Sequence, residues 1–196
     1  MDIVGSQGNT LIAHPATLEN MRGLIKFTGT GATVKIGRGV TSAAAHITIG
    51  EKASLEIGER CSLSKIEIFC ARYSEVKIGK GCGFTWHTRI YCHEPAAIHL
   101  GDECLIASGT LFTCSDMHSI VDVTTGLRIN PAASVRRGNR VWVAAESRVL
   151  KGGEIGDGSV LGMRSTLTGK IGENSLAVGT PAKVIRTGIT WCRDLI

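Results

Sequence analysis

Residues 137–167 read RGNRVWVAAESRVLKGGEIGDGSVLGMRSTL and repeat one pattern every six residues. The first hexad begins with Arg137, and each later one begins with an aliphatic residue: Val143, Val149, Ile155 and Leu161. A six-residue period matches neither the 3.6-residue period of a helix nor the two-residue period of a simple strand. It predicts a coil with flat faces of about six residues, each turning one aliphatic and one small side chain inward.

The same hexads extend over roughly residues 34–186 and predict an all-β solenoid with many tight turns, in line with the 25 glycines. Several hexads open with an aliphatic residue and a glycine, starting at Ile36, Ile49, Ile57, Ile78, Leu100, Ile155 and Ile171. The fifth position is mostly small: Val40, Ala53, Cys61, Cys82, Cys104, Ser159 and Ser175. A chain of 196 residues suits one such domain. Residues 1–33 are expected to lead into it, and residues 187–196 to form a tail.

Six of the seven cysteines recur at the length of one coil. Cys61, Cys82 and Cys104 lie 21 and 22 residues apart, and Cys70, Cys92 and Cys114 lie 22 apart. Stacked coils would place these sulfurs in two columns, about 4.8 Å apart along each column. The CxxC spacing of a zinc site is missing. We therefore interpret these cysteines as reduced packing residues.

The regular hexads stop after Cys114, and residues 115–136 carry turn signals at Thr125-Gly126 and Asn130-Pro131. An irregular segment of this length inside a regular solenoid is commonly functional. It begins SDMHSI at residue 115 and ends with RINPA at residue 128, after which RVWV follows at residue 140. The repeat closes with GTPAKVIR at residue 179 and is followed by Trp191.

These motifs, in this order, resemble the hexapeptide-repeat acyltransferase superfamily, and within it the bacterial capsule, exopolysaccharide and lipopolysaccharide O-acetyltransferases, including the sialic-acid type. The resemblance implies a left-handed parallel β-helix shaped as a triangular prism with one extended loop, although crossovers between parallel strands are right-handed by default. It implies an enzyme that transfers an acetyl group from acetyl-CoA to a sugar hydroxyl of a surface glycan or its precursor. It also implies a homotrimer, with each acetyl-CoA site between adjacent prisms.

The resemblance carries roles to individual residues. His118, in the SD-x-H segment, matches the catalytic base, and Asn130, in the IN-P-A segment, is expected to bind substrate. Trp142 matches a tryptophan at the pocket for acetyl-CoA and acceptor. The remaining positions expected to contact acetyl-CoA are Ala144, Gly162, Ser165, Thr168, Lys170, Lys183 and Arg186. The two basic C-terminal side chains suit its phosphates.

Two carboxylates accompany His118 in the pattern. Asp116 precedes it by two residues, so on an extended segment the two side chains would share a face, and Asp116 could orient the imidazole. The 22-residue register places Glu94 beneath Asp116 and Arg72 beneath Glu94, either as part of a substrate site or as an ordinary charge ladder. A sugar hydroxyl needs such a set, because it attacks a thioester at neutral pH only when a base takes its proton.

Other functions stay open at this point: acetylation of an antibiotic or amino sugar, a γ-type carbonic anhydrase, or a non-catalytic scaffold. His87, His93 and His99 are spaced by six, which in a prism moves each to the next face, so we expect no metal site. The net charge is +5, but no basic helix or aromatic interleaving indicates nucleic acid binding. No apolar run suits a membrane span and the N-terminus lacks a signal peptide pattern, so we expect a cytoplasmic protein.

Overall fold

The computed structural model describes all 196 residues and contains one short helix and 22 strands. The helix is α1 (Pro15–Glu19), and no helix in the chain has the length and apolar character that crossing a membrane requires. In chain order the strands are β1 (Asp2–Val4), β2 (Thr10–Ala13), β3 (Met21–Phe27), β4 (Thr33–Ile36), β5 (Ser42–Ile49), β6 (Ser54–Ile57), β7 (Lys65–Cys70), β8 (Glu75–Ile78), β9 (Gly83–Phe84), β10 (Thr88–Cys92), β11 (Ala97–Leu100), β12 (Leu105–Ile106), β13 (Leu111–Thr113), β14 (Val135–Arg137), β15 (Trp142–Val143), β16 (Arg148–Val149), β17 (Glu154–Ile155), β18 (Val160–Leu161), β19 (Thr166–Leu167), β20 (Lys170–Ile171), β21 (Ser175–Gly179) and β22 (Ala182–Thr187).

The strands form three sheets, which are the three faces of a prism. Face A contains β1, β3, β5, β7, β10, β13, β16 and β19; face B contains β2, β4, β6, β8, β11, β14, β17 and β20; face C contains β9, β12, β15, β18, β21 and β22. All neighbouring strands are parallel except β21 and β22, which are antiparallel. The chain visits the faces in the order A, B, C and winds as a left-handed β-helix of about eight turns. The predicted fold class is confirmed.

The hexad starts form the interior of the prism. Arg137, Val143, Val149, Ile155 and Leu161 are all buried, and they belong to successive faces B, C, A, B and C. Equivalent residues of successive coils stack in register, as Val149 does on Leu167. This stacking buries one aliphatic side chain per face and per coil, so the apolar core runs the length of the solenoid.

The cysteine columns are also confirmed. Cys70 pairs with Cys92 in the register of β7 and β10, and all six cysteines in the two columns are buried without a disulfide. In the other column each thiol donates to a backbone carbonyl of the next coil, as Cys61 does to Gly79 at 3.1 Å. The serine that replaces cysteine at the same position in a later coil, Ser159, donates to Gly172 at 2.7 Å. The small position is therefore also a polar link between coils.

Two boundaries differ from the sequence interpretation. Residues 1–33 do not simply lead into the solenoid, because β1 and β2 pair with β3 and β4 and form the first coil. Their hexads are hard to recognise because α1 interrupts them. The irregular segment ends at Ser134 rather than at residue 136, since Val135 already belongs to β14. We refer to residues 115–134 as the corner loop.

Candidate functional site

The corner loop leaves the solenoid between β13 on face A and β14 on face B, so it projects from the edge where these two faces meet. A bridge between Val121 and Arg128 closes its outer part. Within that part Asp122 Oδ1 accepts hydrogen bonds from the backbone N–H of Thr124 and Thr125, at 3.0 and 2.7 Å. The turn predicted at Thr125-Gly126 is built on these contacts, because an aspartate can bond the backbone two residues ahead.

His118 lies at the base of the corner loop, in a turn rather than on an extended segment. Its backbone N–H donates to the carbonyl of Asp116 at 2.8 Å. Between them Met117 has a φ of 65°, which is uncommon for a residue with a side chain. The expectation that Asp116 and His118 share a face of an extended segment is therefore wrong. The turn leaves the side chain of His118 exposed.

Asn130 holds this turn in place from the other side of the corner loop. Its Nδ2 donates to the carbonyl of His118 at 2.9 Å and to Asp116 Oδ2 at 2.8 Å. Its Oδ1 accepts from the backbone N–H of Ile120 at 2.7 Å and from Nε of Arg128 at 3.2 Å. Asn130 is 6% exposed, and both ends of its amide are engaged within the chain. Asn130 thus has a structural role that the sequence motif alone does not reveal, and its expected role in substrate binding stays a prediction.

Asp116 is held as a carboxylate. Lys151, in the next coil at the same edge, donates to Asp116 Oδ2 at 2.5 Å. This ammonium, followed by the amide of Asn130, lowers the pKa of Asp116 below its ordinary value. Lys151 was missed by the sequence analysis, although it follows β16 at the edge where the corner loop follows β13. A carboxylate that accepts hydrogen bonds from two donors is a poor proton acceptor, but it can hold the base of the corner loop in place.

Glu94 lies at the same edge in the preceding coil and anchors the far end of the corner loop. Arg128 binds it with two hydrogen bonds, of 2.6 and 2.7 Å. The hydroxyl of Ser115 also donates to Glu94. Arg128 and then Ser115 lower the pKa of Glu94 to about 2. The charge ladder expected at Glu94 therefore has a different cation. Its guanidinium partner is Arg128, near the end of the corner loop, and not Arg72.

Trp142 lies on face C, in β15, with its side chain 36% exposed. In a triangular prism face C is opposite the edge between faces A and B, so Trp142 points away from the corner loop of its own chain. The C-terminal tail folds back here: the rings of Trp191 and Trp142 are 6.2 Å apart, and Trp191 Nε1 donates to the carbonyl of Arg140 at 2.6 Å. The sequence predicted an outward Trp142 but not its aromatic partner.

Three of the positions expected to contact acetyl-CoA are used inside the solenoid. Ser165 is fully buried, and its hydroxyl accepts from the backbone N–H of Gly179 at 2.9 Å. The backbone N–H groups of Ala144 and Gly162 donate to Leu161 and Ala177 in the next coil. These particular groups are therefore engaged within the solenoid, and the expected contact of Ala144, Gly162 and Ser165 with acetyl-CoA stays a prediction.

Three other such positions come together. Thr168, Lys170 and Lys183 line one depression of about 290 Å³ between the last coil and β22. Lys170 forms an exposed ion pair with Glu154 at 3.0 Å. Arg186 is exposed on β22 and pairs in register with Leu176. The depression is thus a basic site at the C-terminal end of the prism.

The three histidines spaced by six lie apart. His87 is exposed in the turn after β9. His93 packs against Phe69 with the ring centroids 4.9 Å apart, and burial lowers its pKa. His99 on face B contacts Glu75 at 2.5 Å. No group of three or more His, Cys, Asp or Glu side chains is arranged to hold a metal ion.

Comparison with known proteins places this arrangement among acetyltransferases, although no protein-family model matches the chain. The polysialic acid O-acetyltransferase of Escherichia coli O1:K1 / APEC is 33% identical over 133 residues, which cover 66% of this chain and 42% of that protein. The putative lipopolysaccharide biosynthesis O-acetyl transferase WbbJ of Escherichia coli K12 is 34% identical over 98 residues, 46% of this chain and 50% of that protein. The chain therefore spans half or less of the length of these curated relatives.

The fold extends the similarity to nearly the whole chain. The crystal structure of the polySia-specific acetyltransferase NeuO superposes with a TM-score of 0.82 at 25% identity, covering 98% of this chain and 87% of that one. The two chains thus share the β-helix fold over most of their lengths.

Proposed function

Because the chain belongs to the hexapeptide-repeat, left-handed β-helix acyltransferase superfamily, we propose that it transfers an acetyl group from acetyl-CoA to a sugar hydroxyl of a surface glycan or its precursor. The observation that carries this proposal is the corner loop. It presents His118 to solvent and holds the backbone at His118 and Ile120 through Asn130. A catalytic side chain needs such fixed support.

In this proposal His118 is the general base. The two carboxylates near it are poor candidates, because Lys151 lowers the pKa of Asp116 and Arg128 lowers that of Glu94 to about 2. The imidazole takes the proton of the acceptor hydroxyl as the oxygen attacks, a step worth roughly 10²–10⁴-fold in rate. Asp116, paired with Lys151, holds the turn through Asn130.

Acetyl-CoA would supply the activated acetyl thioester. The residues that fit its phosphates are Lys170 and Lys183, which line the depression at the C-terminal end of the prism together with Thr168, and Arg186 on the neighbouring strand. The donor set suits the ligand, since ammonium and guanidinium groups pair with phosphate oxygens. Thr168 and Lys170 follow β19 at the same edge as the corner loop, two coils farther along.

We further propose that the complete site forms between chains of a homotrimer. His118 and Trp142 lie on opposite sides of one prism, so a pocket containing both requires a second chain. The corner loop also exposes apolar side chains that a partner would cover: Met117, Ile120, Val121, Val123, Leu127 and Ile129. The loop of one chain packed near face C of its neighbour would bring His118 and Trp142 together.

The relatives support this acceptor class, since their names specify polysialic acid and lipopolysaccharide biosynthesis. We place the reaction in the cytoplasm, which suits seven cysteines without a disulfide. The test is transfer of label from acetyl-CoA to a panel of glycans and sugar precursors from host cells, with antibiotics and amino sugars as competing acceptors. Label on a glycan hydroxyl supports the proposal, and hydrolysis without transfer to any sugar contradicts it.

A further inference from the structure

Two buried thiols meet at the base of the corner loop. Cys92 is the last residue of β10, and Cys114 follows β13, its neighbour on face A. Their sulfur atoms are 3.4 Å apart. Residues paired on adjacent strands have Cα atoms within the range that a disulfide spans, about 4.4–6.8 Å. The two side chains are therefore already positioned for a bond between coils.

Each thiol directly precedes residues that anchor the loop. Cys92 is followed by His93 and Glu94, and Cys114 by Ser115. Glu94 accepts hydrogen bonds from both Ser115 and Arg128. Any shift that brings the sulfurs together moves both ends of these contacts, and with them the turn that carries His118.

The two thiols differ in acidity. Their shared hydrogen bond lowers the pKa of Cys114 and raises that of Cys92, and backbone amides of the preceding coil add to the lowering at Cys114. Burial raises the pKa of Cys70, the third cysteine of the column, to about 12. Cys114 is therefore the thiol of this column that reacts first, since thiolates are the nucleophiles.

We propose that Cys92 and Cys114 are a redox pair, and that their oxidation to a disulfide by a peroxide reversibly inactivates the site at the corner loop. The inactivation rests on the proposed acetyltransferase function, whereas the disulfide does not. The Cys114 thiolate attacks one peroxide oxygen, breaks the O–O bond and becomes a sulfenic acid. The Cys92 thiol then attacks that sulfur and displaces the oxygen, so two thiols and one hydrogen peroxide give one disulfide and two waters.

The geometry explains why the bond would act as a switch. A disulfide is about 2.05 Å long, so the sulfurs must approach by more than 1 Å. Both side chains are enclosed in the core, so closing the bond repacks their neighbours at the base of the corner loop. A displacement of about 1 Å at a catalytic group costs about 10²-fold in rate. Thiol–disulfide exchange with a small dithiol reduces the bond again, which makes the change reversible.

The test uses the full chain with Cys192→Ser, which removes the exposed thiol, and hydrogen peroxide as the oxidant. Mass spectrometry of unreduced peptides should show a Cys92–Cys114 crosslink. Acetyl transfer should fall at least about tenfold and return with dithiothreitol. Cys114→Ser should abolish the crosslink and the reversible loss, while Cys70→Ser, the matched control one coil away, should keep both.

Hydrogen exchange over residues 115–134 gives a readout that needs no acceptor. Oxidation should change the exchange of this loop in the parent protein and leave it unchanged in Cys114→Ser. Absence of the crosslink after peroxide treatment overturns the proposal, as does a crosslink that alters neither exchange nor transfer. If the reduced protein transfers no acetyl group at all, the proposed acetyltransferase function is wrong. The crosslink and the hydrogen exchange still test whether Cys92 and Cys114 are a redox pair.

Discussion

The side-chain amide of Asn130 donates to the main-chain carbonyl of His118 at 2.9 Å and to the carboxylate of Asp116 at 2.8 Å. One buried residue thus ties together both sides of the turn at residue 117. The base of the corner loop is therefore rigid, although its outer part is exposed and apolar. In the proposed enzyme, this contact places the general base.

Asn130→Ala should lower kcat by about 10²-fold, because the turn loses its support and His118 moves out of place. The free energy of unfolding should fall by about 1–3 kcal/mol, since buried groups lose their partners. Steady-state kinetics and urea unfolding measure the two effects. Asn20→Ala, at the exposed end of α1, is the control and should change neither quantity much. A wild-type kcat in Asn130→Ala would show that the turn holds its geometry without this amide.

The ionisation of Glu94 should make the stability of the folded chain depend on pH. Its pKa is about 2 in the folded chain, below its ordinary value of 4.5, so the stabilisation is complete above pH 4.5 and is lost as the pH falls towards 2. Over this window the melting temperature of Glu94→Gln should fall less steeply than that of the wild type. Glu103→Gln, which breaks an exposed pair with Arg140 at 3.7 Å, is the control and should follow the wild-type slope. Parallel curves for Glu94→Gln and the wild type would contradict the assignment.

The buried side chain of Arg137 should lower the free energy of unfolding. It is 5% exposed and occupies an aliphatic position of the core, and none of its three guanidinium nitrogens has a hydrogen-bond partner. Its guanidinium carbon lies over the ring of Phe112, 4.8 Å from the ring centroid. Replacing an unpaired buried charge by an apolar residue removes a desolvation penalty, so Arg137→Met should raise the free energy of unfolding by about 1–4 kcal/mol.

The neighbouring Arg136, exposed on the same strand, offers the matched control. Arg136→Met should change the free energy of unfolding by less than about 0.5 kcal/mol. Denaturant unfolding of both variants decides the matter. A clear destabilisation by Arg137→Met would mean that the guanidinium has a stabilising partner in the folded protein.

Assembly should depend on the apolar corner loop. The wild type is expected to be a trimer, and Val123→Glu with Leu127→Glu should weaken it, because two charges would be buried in the interface. Light scattering gives the mass, and acetyl transfer should fall with the trimer. The control pair is Lys26→Glu with Lys35→Glu, exposed on strands of the first coils. A wild-type monomer with full activity would contradict the two-chain site.

The sequence predicted the solenoid well because each hexad independently indicates the same local geometry. A misassigned hexad therefore does not change the assignment of the others. The start of the first coil was missed, since α1 breaks its pattern. In the site, His118 and the coil break were recognisable from the motif. The partners of Asp116 and Glu94 were not, because Lys151 and Arg128 reach them through the stacking of coils and the return of the loop. The buried roles of Asn130 and Ser165 likewise depend on packing that a motif does not encode.

The most direct test of the account is the rate of acetyl transfer by His118→Ala with the best acceptor found for the wild type. If His118 is the general base, turnover should fall at least about 10²-fold, while affinity for CoA changes little, because the proposed phosphate site lies two coils from the corner loop. His14→Ala, at the exposed start of α1, should keep wild-type turnover. Acetyl transfer by His118→Ala at near wild-type rates would contradict the central claim.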